Sequence, residues 1–514
     1  MPESPSTATE PTGPVTVAEF ASAPREHLDA VHRSLIDAVW TDGRARGAAL
    51  GVARDLVAVF ADLDADRQGR AAVVLGLLVD TEYPRSEREL TAAVRAGVDT
   101  YLAVWRATTK DQPLSLALLY LLGHFPEARD RILDVAIDLG VDDDDLSRLE
   151  RAVSRLDPAN PDLGRAFPYP AAWELDDTER DFDRAWIAAL TPEQVQAHWD
   201  NDTETVLGHA GAKAYWAVRN GTPTPVVVDS VPPRAPGPLP NDIAGFLRHG
   251  AAFHCPSCGR GLAFDETAAR CTGCANAYAI DGGIVDFTTT IGDGHDRGSD
   301  FLFKLAEMPS MGFFYEAYAR PNFLRLCGSN WAAQVLPSDE DGYIAEHVQP
   351  VEGPVLDLAA GAGRWTAALA KAVGVQRVVA LDLGLPMLST LRSRLPEIPA
   401  VLSSGRSLPF ADGSLGAVLC WNALQAFPDD APAVIAEVGR CLRPGGTFTL
   451  LTFRQAPDPV YRHFVWRHHF PQHADGLRLF DYADLRAWLR AAGLRVRHEW
   501  RPGTFVVITA EREA

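Results

Sequence analysis

The chain has 514 residues, of which 47% are hydrophobic and 23% are charged. At roughly 150 residues per domain this length predicts three or four folding units, and the apolar content is too high for a disordered protein. The 48 Lys and Arg against 68 Asp and Glu give a net charge of −20, which argues against sequence-independent binding of nucleic acid. No uncharged apolar run approaches the ~18 residues that a membrane-spanning helix needs.

The first half of the chain has a helical pattern. The opening residues lack the positive and apolar regions of a secretion signal, so we expect residues 1–14 to be a disordered tail and the protein to be cytoplasmic. From 15 to 220, apolar residues recur with the helical period, which predicts an all-α domain. Three apolar segments contain a leucine followed by glycine, and the spacings from Leu75 to Leu122 and on to Leu207 are near one and two periods of a HEAT-like repeat. A HEAT-like stack and an irregular helical bundle are both open interpretations.

A proline-rich segment follows the helical half. Residues 221–240 contain seven prolines, which remove backbone donors and favour extended backbone. The composition predicts a linker over residues 221–245.

Two CxxC pairs lie in the next segment, residues 246–290. Twelve residues separate the pairs, so two knuckles can direct four thiolates at one ion. Four sulfurs fill the tetrahedral shell of zinc and leave no open position, which predicts a structural site and not a catalytic one. The four predicted metal ligands are Cys255, Cys258, Cys271 and Cys274.

The cysteine segment begins with a CPxCGxxL pattern and ends with YAIDGGIVDF. In both features it resembles the zinc ribbons that precede many bacterial methyltransferase domains, including rRNA guanine methyltransferases. The resemblance implies that the ribbon helps to bind or position substrate.

Residues 354–384 read as a βαβ unit: a short apolar strand, a glycine turn, a helix and a second strand that ends in an acid. Gly361 and Gly363 allow a tight turn and a close approach to a ligand, and Asp382 suits two ribose hydroxyls. The dinucleotide pattern G-x-G-x-x-G is incomplete because Thr366 stands at its third glycine. The segment therefore predicts a nucleoside-type cofactor.

The wider sequence extends this pattern. DLAAGAG from Asp357 matches the first motif of class I S-adenosylmethionine-dependent methyltransferases, D/E-x-x-x-G-x-G. Segments that begin at Leu408, Ala433 and Tyr482 are similar to later strands and helices of the same family. The resemblance implies an α/β Rossmann-like methyltransferase domain over residues 300–514, with an N-terminal lid helix and S-adenosylmethionine as cofactor.

Carried over position by position, the resemblance implies nine cofactor-binding residues. In it, Asp382 holds the ribose, and Ser404 stands where an acid often binds the adenine amine. Ala359 and Gly416 are further departures, standing where a glycine and an acid are usual. The nine are Asp357, Gly361, Gly363, Asp382, Leu383, Met387, Ser404, Gly405 and Asn422.

Methyl transfer needs few catalytic residues, but a general base helps when the acceptor is a hydroxyl or a protonated amine. Histidines between the fifth strand and the following helix are candidate bases, although this loop is also interpretable as a solvated or anion-binding surface. The lid segment supplies Tyr315 as a further catalytic candidate, with Tyr318 and Arg320 beside it, or else these residues pack a helix on the sheet. The histidines are His463, His468, His469 and His473.

The sequence as a whole predicts a multidomain enzyme with an all-α half, a zinc ribbon and a Rossmann-like methyltransferase domain. Its expected acceptor is a small molecule or a peptide-derived metabolite, and the helical half would supply substrate or protein-partner contacts. An RNA methyltransferase that uses the zinc ribbon, and an interaction scaffold without catalysis, are the alternatives.

Overall fold

The computed structural model describes residues 16–84, 88–159, 175–288, 308–469 and 476–513. The predicted tail at 1–14 and His473 lie outside the described residues. The chain divides into two compact units. Unit 1 contains Met1–Asp157, Trp199–Pro223 and Pro457–His468, and unit 2 contains Pro158–His198, Thr224–Ala456 and His469–Ala514.

Helices are the most common element among the described residues, and none of them is long and apolar enough to cross a membrane. The helices are α1 (Val17–Ser22), α2 (Leu28–Val39), α3 (Ala49–Val59), α4 (Ala65–Asp80), α5 (Glu89–Arg95), α6 (Val98–Arg106), α7 (Pro113–Leu122), α8 (Arg129–Leu139), α9 (Asp143–Val153), α10 (Asp177–Ala189), α11 (Pro192–Asn220), α12 (Ala244–His249), α13 (Met311–Phe314), α14 (Arg320–Gly328), α15 (Pro337–His347), α16 (Arg364–Val373), α17 (Leu385–Arg394), α18 (Ala431–Cys441), α19 (Pro459–Trp466) and α20 (Tyr482–Ala491).

The strands are β1 (Trp40–Thr41), β2 (Arg44–Ala45), β3 (Leu262–Phe264), β4 (Ala268–Cys271), β5 (Ala277–Asp281), β6 (Ile284–Asp286), β7 (Val355–Leu358), β8 (Val378–Asp382), β9 (Ala400–Leu402), β10 (Leu415–Trp421), β11 (Leu442–Phe453), β12 (Leu494–Trp500) and β13 (Phe505–Arg512). Strands β1 and β2 form a hairpin in unit 1. Its turn is Asp42-Gly43, with both residues at positive φ, as a two-residue hairpin turn requires.

The recurrent glycines of the helical half mark close helix contacts. A Cβ on Gly76 of α4 would overlap the ring of Tyr120 in α7. A Cβ on Gly208 of α11 would lie 2.8 Å from the carbonyl oxygen of Phe464 in α19. These positions need a residue without a side chain because the helices approach so closely. The helical character of this half is confirmed, whereas the HEAT-like repeat stays a prediction.

Unit 2 is built on one mixed sheet with the strand order β12-β13-β11-β10-β7-β8-β9-β6-β5-β4-β3. The strands from β11 to β6 in this order are parallel, and antiparallel pairs flank them on both sides. Strands β7 and β10 are buried along their whole length, in keeping with their continuous apolar sequences. The Rossmann-like fold is therefore confirmed.

The cysteine segment continues this sheet. Strand β6 pairs in parallel with β9, and Val285 lies opposite Val401. Phe253 forms an antiparallel bridge with Phe410. The apolar β6 thus extends the edge of the sheet next to β9, and the ribbon bounds at 246–290 stay a prediction.

The chain passes from one unit to the other more than once. It leaves unit 2 after Ala456, forms α19 in unit 1 and re-enters unit 2 at His469. Helix α19 buries four residues, among them Phe464, whose ring lies 5.4 Å from that of Tyr120. Helix α10 belongs to unit 2, although the helical pattern predicts a single domain over 15–220.

Candidate active site

The glycine turn between β7 and α16 has an unusual backbone. Gly361 and Gly363 have φ values of 56° and 92°, a region that residues with a Cβ rarely adopt. Ala359 adopts φ 58° in the same turn. The usual glycine at this position therefore has a conformational reason, and alanine carries strain here.

The turn meets the end of the neighbouring strand β8. The Asp382 carboxylate accepts hydrogen bonds from the amides of Gly361 and Gly384, each at 2.8 Å. Burial raises the pKa of Asp382, and the backbone N–H donors partly offset that effect because they favour the charged form. The structure thus brings together the glycine and the acid that the sequence singled out.

Asp357 lies beneath the turn at the end of β7. Its side chain is buried and accepts a hydrogen bond of 2.6 Å from Thr366 Oγ1. Burial raises the pKa of Asp357 to about 7. The sequence pattern did not assign Thr366 a role in the site. The bond joins β7 to the first turn of α16. An aspartate and a threonine in the sequence do not by themselves predict that contact.

The predicted adenine-side residues follow β8 and β9. Met387 is buried in α17, and Leu383 and Ser404 are half-buried. Ser404 Oγ accepts a hydrogen bond of 3.2 Å from the amide of Arg406, so the hydroxyl helps to hold its own loop. A Cβ on Gly405 would be 3.4 Å from Val434, an ordinary contact. Strands β8 and β9 are adjacent, with Asp382 opposite Leu402, so these residues follow the ends of neighbouring strands.

The departure at Gly416 also has a steric explanation. A Cβ there would meet the carbonyl oxygen of Val351 at 2.5 Å, closer than real Cβ contacts allow. An acidic side chain at the start of β10 would therefore require this segment to move.

The predicted lid segment lies beside the glycine turn. Between α13 and α14 the chain forms a π-helical turn, Tyr315–Ala319, a feature often found at functional sites. A Cβ on Gly361 would lie 3.7 Å from Tyr315 Cε1. Burial raises the pKa of Tyr315, so its hydroxyl stays protonated at neutral pH and can donate a hydrogen bond but is unsuited to act as a base. Tyr318, by contrast, is exposed.

Buried amides connect the lid to the strands. Asn422 Nδ2 donates to the Tyr315 hydroxyl at 3.4 Å, and Gln425 Nε2 donates to Asn422 Oδ1 at 2.9 Å. Thr452 Oγ1 in turn donates to Gln425 Oε1 at 3.0 Å. Asn422 has φ 56°, a conformation in which asparagine is enriched. The four residues form a chain of hydrogen bonds that fixes their donors and acceptors.

The candidate histidines among the described residues fall in different units. His463 and His468 belong to unit 1, whereas the nine predicted cofactor residues belong to unit 2. The His463 ring lies 5.1 Å from that of Trp40, and burial lowers its pKa to about 4. Such a histidine is neutral and weakly basic at pH 7, which disfavours the base role that the sequence suggested. His469 is buried in unit 2, and the general base stays unassigned.

The four cysteines of the CxxC pairs form one cluster. Their sulfur atoms all lie within 4.8 Å of one another. The distances of 3.8 Å between Cys255 and Cys274, and of 3.3 Å between Cys258 and Cys271, are near the edge of about 3.8 Å that Zn–S bonds of about 2.3 Å imply for a tetrahedron. The amides of Gly273 and Cys274 donate to Cys271 Sγ, as expected around a thiolate. The cluster is compatible with a zinc site.

Comparisons with known proteins agree with this geometry. Residues 355–446 match the family model described as a methyltransferase domain. An uncharacterized chloroplastic methyltransferase of Arabidopsis thaliana is 26% identical over 285 residues, which cover 50% of this chain and 78% of that protein. A demethylmenaquinone methyltransferase of Corynebacterium kroppenstedtii is 39% identical over 107 residues, which cover 21% of this chain and 44% of that enzyme.

A solved structure is also similar to part of the chain. The 1,6-didemethyltoxoflavin-N1-methyltransferase of Burkholderia thailandensis is 23% identical with a TM-score of 0.28, and the match covers 39% of this chain and 89% of that one.

The strand order agrees with the family match. From β9 through β8, β7, β10 and β11 it follows the 3-2-1-4-5 arrangement of doubly wound folds, and the antiparallel β13 lies between β11 and β12. The matched residues 355–446 contain the glycine turn and Asp382. The family match and the strand order support a class I S-adenosylmethionine-dependent methyltransferase domain that contains residues 355–446.

Proposed function

We propose that this enzyme transfers the methyl group of S-adenosylmethionine to a small molecule or a peptide-derived metabolite. The observation that carries the proposal is the meeting of the glycine turn with Asp382 under the Tyr315 ring. The bound cofactor supplies a methyl group on a sulfonium, a leaving group that needs no further activation. The chain's own residues therefore have to bind, align the acceptor and exclude water.

The roles of the pocket residues follow from their geometry. The Asp382 carboxylate is half-buried and held by two amides, which suits it to accept hydrogen bonds from the ribose hydroxyls. Tyr315, whose ring lies beside Gly361, would limit the access of water to the turn. Asn422 and Gln425 would orient an acceptor through amides that are themselves held by hydrogen bonds.

A small acceptor is favoured by two observations. The net charge of −20 disfavours a polyanionic substrate, for which binding strength depends on cationic contacts. Two similar proteins are a demethylmenaquinone methyltransferase and a malonyl-[acyl-carrier protein] O-methyltransferase of Xylella fastidiosa, 33% identical over 125 residues. A protein partner for unit 1 stays a prediction.

We further infer that the four-cysteine cluster holds a structural zinc ion. Four thiolates would complete its shell and leave no position for water, so the ion would fix the turn pairs around β3 and β4 and take no part in methyl transfer. The cluster's place at the end of the sheet order supports a structural role.

The experiment uses the purified full-length protein, S-adenosylmethionine labelled in its methyl group, and fractionated lysate of the source organism. We expect label to enter the small-molecule fraction. The matched control is the Asp382→Ala variant, which should transfer less label at limiting S-adenosylmethionine because its cofactor binding is weakened. Label confined to RNA would instead establish the RNA methyltransferase, and absence of transfer with every fraction would favour the non-catalytic scaffold.

A further inference from the structure

Part of the proline-rich segment lies against the lid and the glycine turn, where its side chains accept hydrogen bonds from three arginines. We propose that residues 224–231, here called the strap, hold the lid and the glycine turn of the cofactor pocket in place, and that Asp229 and Ser230 are positioning residues for cofactor binding. The inference rests on the proposed function because it concerns the same pocket.

Asp229 connects the lid to the glycine turn. Its Oδ1 accepts a hydrogen bond of 2.8 Å from Arg320 Nη2, and its Oδ2 accepts one from Arg364 Nε. Arg320 is the first residue of α14, directly after the π-helical turn that contains Tyr315. Arg364 is the first residue of α16, directly after Gly363. One carboxylate thus links the two backbone segments that close the pocket.

Ser230 reaches the other side of the same turn. Its hydroxyl oxygen accepts a hydrogen bond of 2.6 Å from Arg394 Nη2. The same guanidinium donates through Nη1 to the carbonyl oxygen of Ala362 at 3.0 Å. Ala362 lies between the two glycines of the turn. Asp229 thus binds Arg364 directly, and Ser230 is linked to Ala362 through Arg394. The two strap residues therefore hold both ends of the segment from Ala362 to Arg364.

The strap is itself fixed at its beginning. The Thr224 amide and hydroxyl both donate to the carbonyl oxygen of Trp331, at 2.8 and 3.0 Å. Arg325 of α14 donates to the Thr224 carbonyl oxygen. Pro225 restricts the backbone to extended conformations, so little conformational entropy is lost when the strap is held straight. These contacts make the strap a fixed support.

The charges around Asp229 explain why the fold should survive its loss. The Arg320 side chain is 1% exposed and also pairs with Glu316 at 2.8 Å. Arg364 keeps a second partner in Asp341 at 2.7 Å. Without Asp229 each buried guanidinium retains one carboxylate, so the charges stay paired but the link between the lid and the turn is lost. We therefore expect loss of the Asp229 carboxylate to change the geometry of the pocket more than the free energy of unfolding.

The test measures cofactor affinity and lid protection in the full-length protein. Affinity for S-adenosylhomocysteine is measured by calorimetry, and amide hydrogen exchange of residues 311–328 is measured without ligand. The variants are Asp229→Asn and Ser230→Ala. The matched control is Glu499→Gln on β12, because the side chains of Asp229 and Glu499 are 21% and 28% exposed and Glu499 also pairs with an arginine.

We expect Asp229→Asn to raise the dissociation constant about tenfold and Ser230→Ala about threefold, in line with the loss of charged and neutral hydrogen bonds. Exchange at residues 311–328 should be faster in Asp229→Asn than in Glu499→Gln, even where the two variants melt at similar temperatures. The control should bind the ligand as the unaltered protein does.

The failures of the two proposals are distinguishable. If the unaltered protein does not bind S-adenosylhomocysteine, the proposed function is wrong, and exchange at residues 311–328 alone decides whether the strap holds the lid. If it binds and both strap variants bind equally well with unchanged exchange, the strap inference is wrong. Should Asp229→Asn fail to fold, Ser230→Ala decides, since it removes only one hydrogen bond.

Discussion

The amide of Gly361 donates a hydrogen bond to the Asp382 carboxylate across 2.8 Å, which joins the turn after β7 to the end of β8. The two residues are 21 positions apart: Gly361 follows β7, and Asp382 ends the neighbouring parallel strand β8. Because strands of this kind carry their ligands at their carboxyl ends, the bond lies where we propose that the cofactor binds.

The first prediction concerns Asp382. Replacing it with alanine should weaken binding of S-adenosylmethionine by roughly 1–3 kcal/mol, because charged hydrogen bonds to the ligand are lost. Calorimetric titration measures the change. Asp281→Ala is the control, since this exposed acid also ends a strand of the sheet, β5. Unchanged affinity in Asp382→Ala would remove this residue from the pocket.

The second prediction is a pH dependence that Asp357 causes. Its folded-state pKa of about 7 lies above the usual value near 4, so the folded protein binds a proton more tightly than the unfolded chain. Stability from this group is therefore lost as the pH rises from about 4 to about 7. Asparagine does not titrate, so Asp357→Asn does not lose stability in this way. Without ligand, the melting temperature of the variant minus that of the unaltered protein should therefore increase from pH 5 to pH 8. Parallel melting curves over this range would contradict the burial argument.

The third prediction concerns the strained alanine of the glycine turn. Ala359→Gly should raise the free energy of unfolding by about 1 kcal/mol, since a left-handed backbone costs an L-residue about this much. Ala360→Gly is the control at a neighbouring buried residue without positive φ, and it should destabilise. Urea denaturation compares the two. Equal destabilisation by both substitutions would show that Ala359 is not strained.

The fourth prediction tests helix packing in unit 1. Gly76→Ala should lower the free energy of unfolding by about 1–3 kcal/mol, because the new methyl group overlaps the Tyr120 ring. Gly51→Ala is its control: this glycine in α3 has no atom within 4 Å of a new Cβ, so the substitution should stabilise by about 0.5–1 kcal/mol. Tolerance of Gly76→Ala in a thermal melt would contradict the close contact between α4 and α7.

The fifth prediction concerns the cysteine cluster. Elemental analysis should find one zinc ion per chain, and Cys274→Ser or a strong chelator should lower the melting temperature, since metal binding and folding of such a small motif are coupled. Cys327→Ser controls for the loss of a thiol outside the cluster. A metal-free protein that melts at the same temperature would disprove the zinc site.

Local sequence patterns predicted the parts of the site that lie close together in the chain. The glycine turn and Asp382 belong to one βαβ unit. Because its two parallel strands are neighbours, the turn and the acid lie close together without help from the rest of the chain. The two CxxC pairs are predictable for a similar reason, because each knuckle is local and their thiolates share one chemistry.

The remaining features depend on packing that no local pattern records. The segment with His463 reads as a polar loop beside the active site, but its apolar face is buried in unit 1 as α19. Proline content predicts a linker, whereas the role proposed for Asp229 depends on arginines 91 and 135 residues away. Contacts across such distances require the whole fold.

The most direct test of the account is a crystal structure of the protein with S-adenosylhomocysteine. The account predicts the nucleoside in the crevice beside the glycine turn, with its ribose hydroxyls hydrogen-bonded to Asp382 and the Tyr315 ring over the turn. A crevice that stays empty at saturating ligand, or a nucleoside bound away from Asp382, would contradict it.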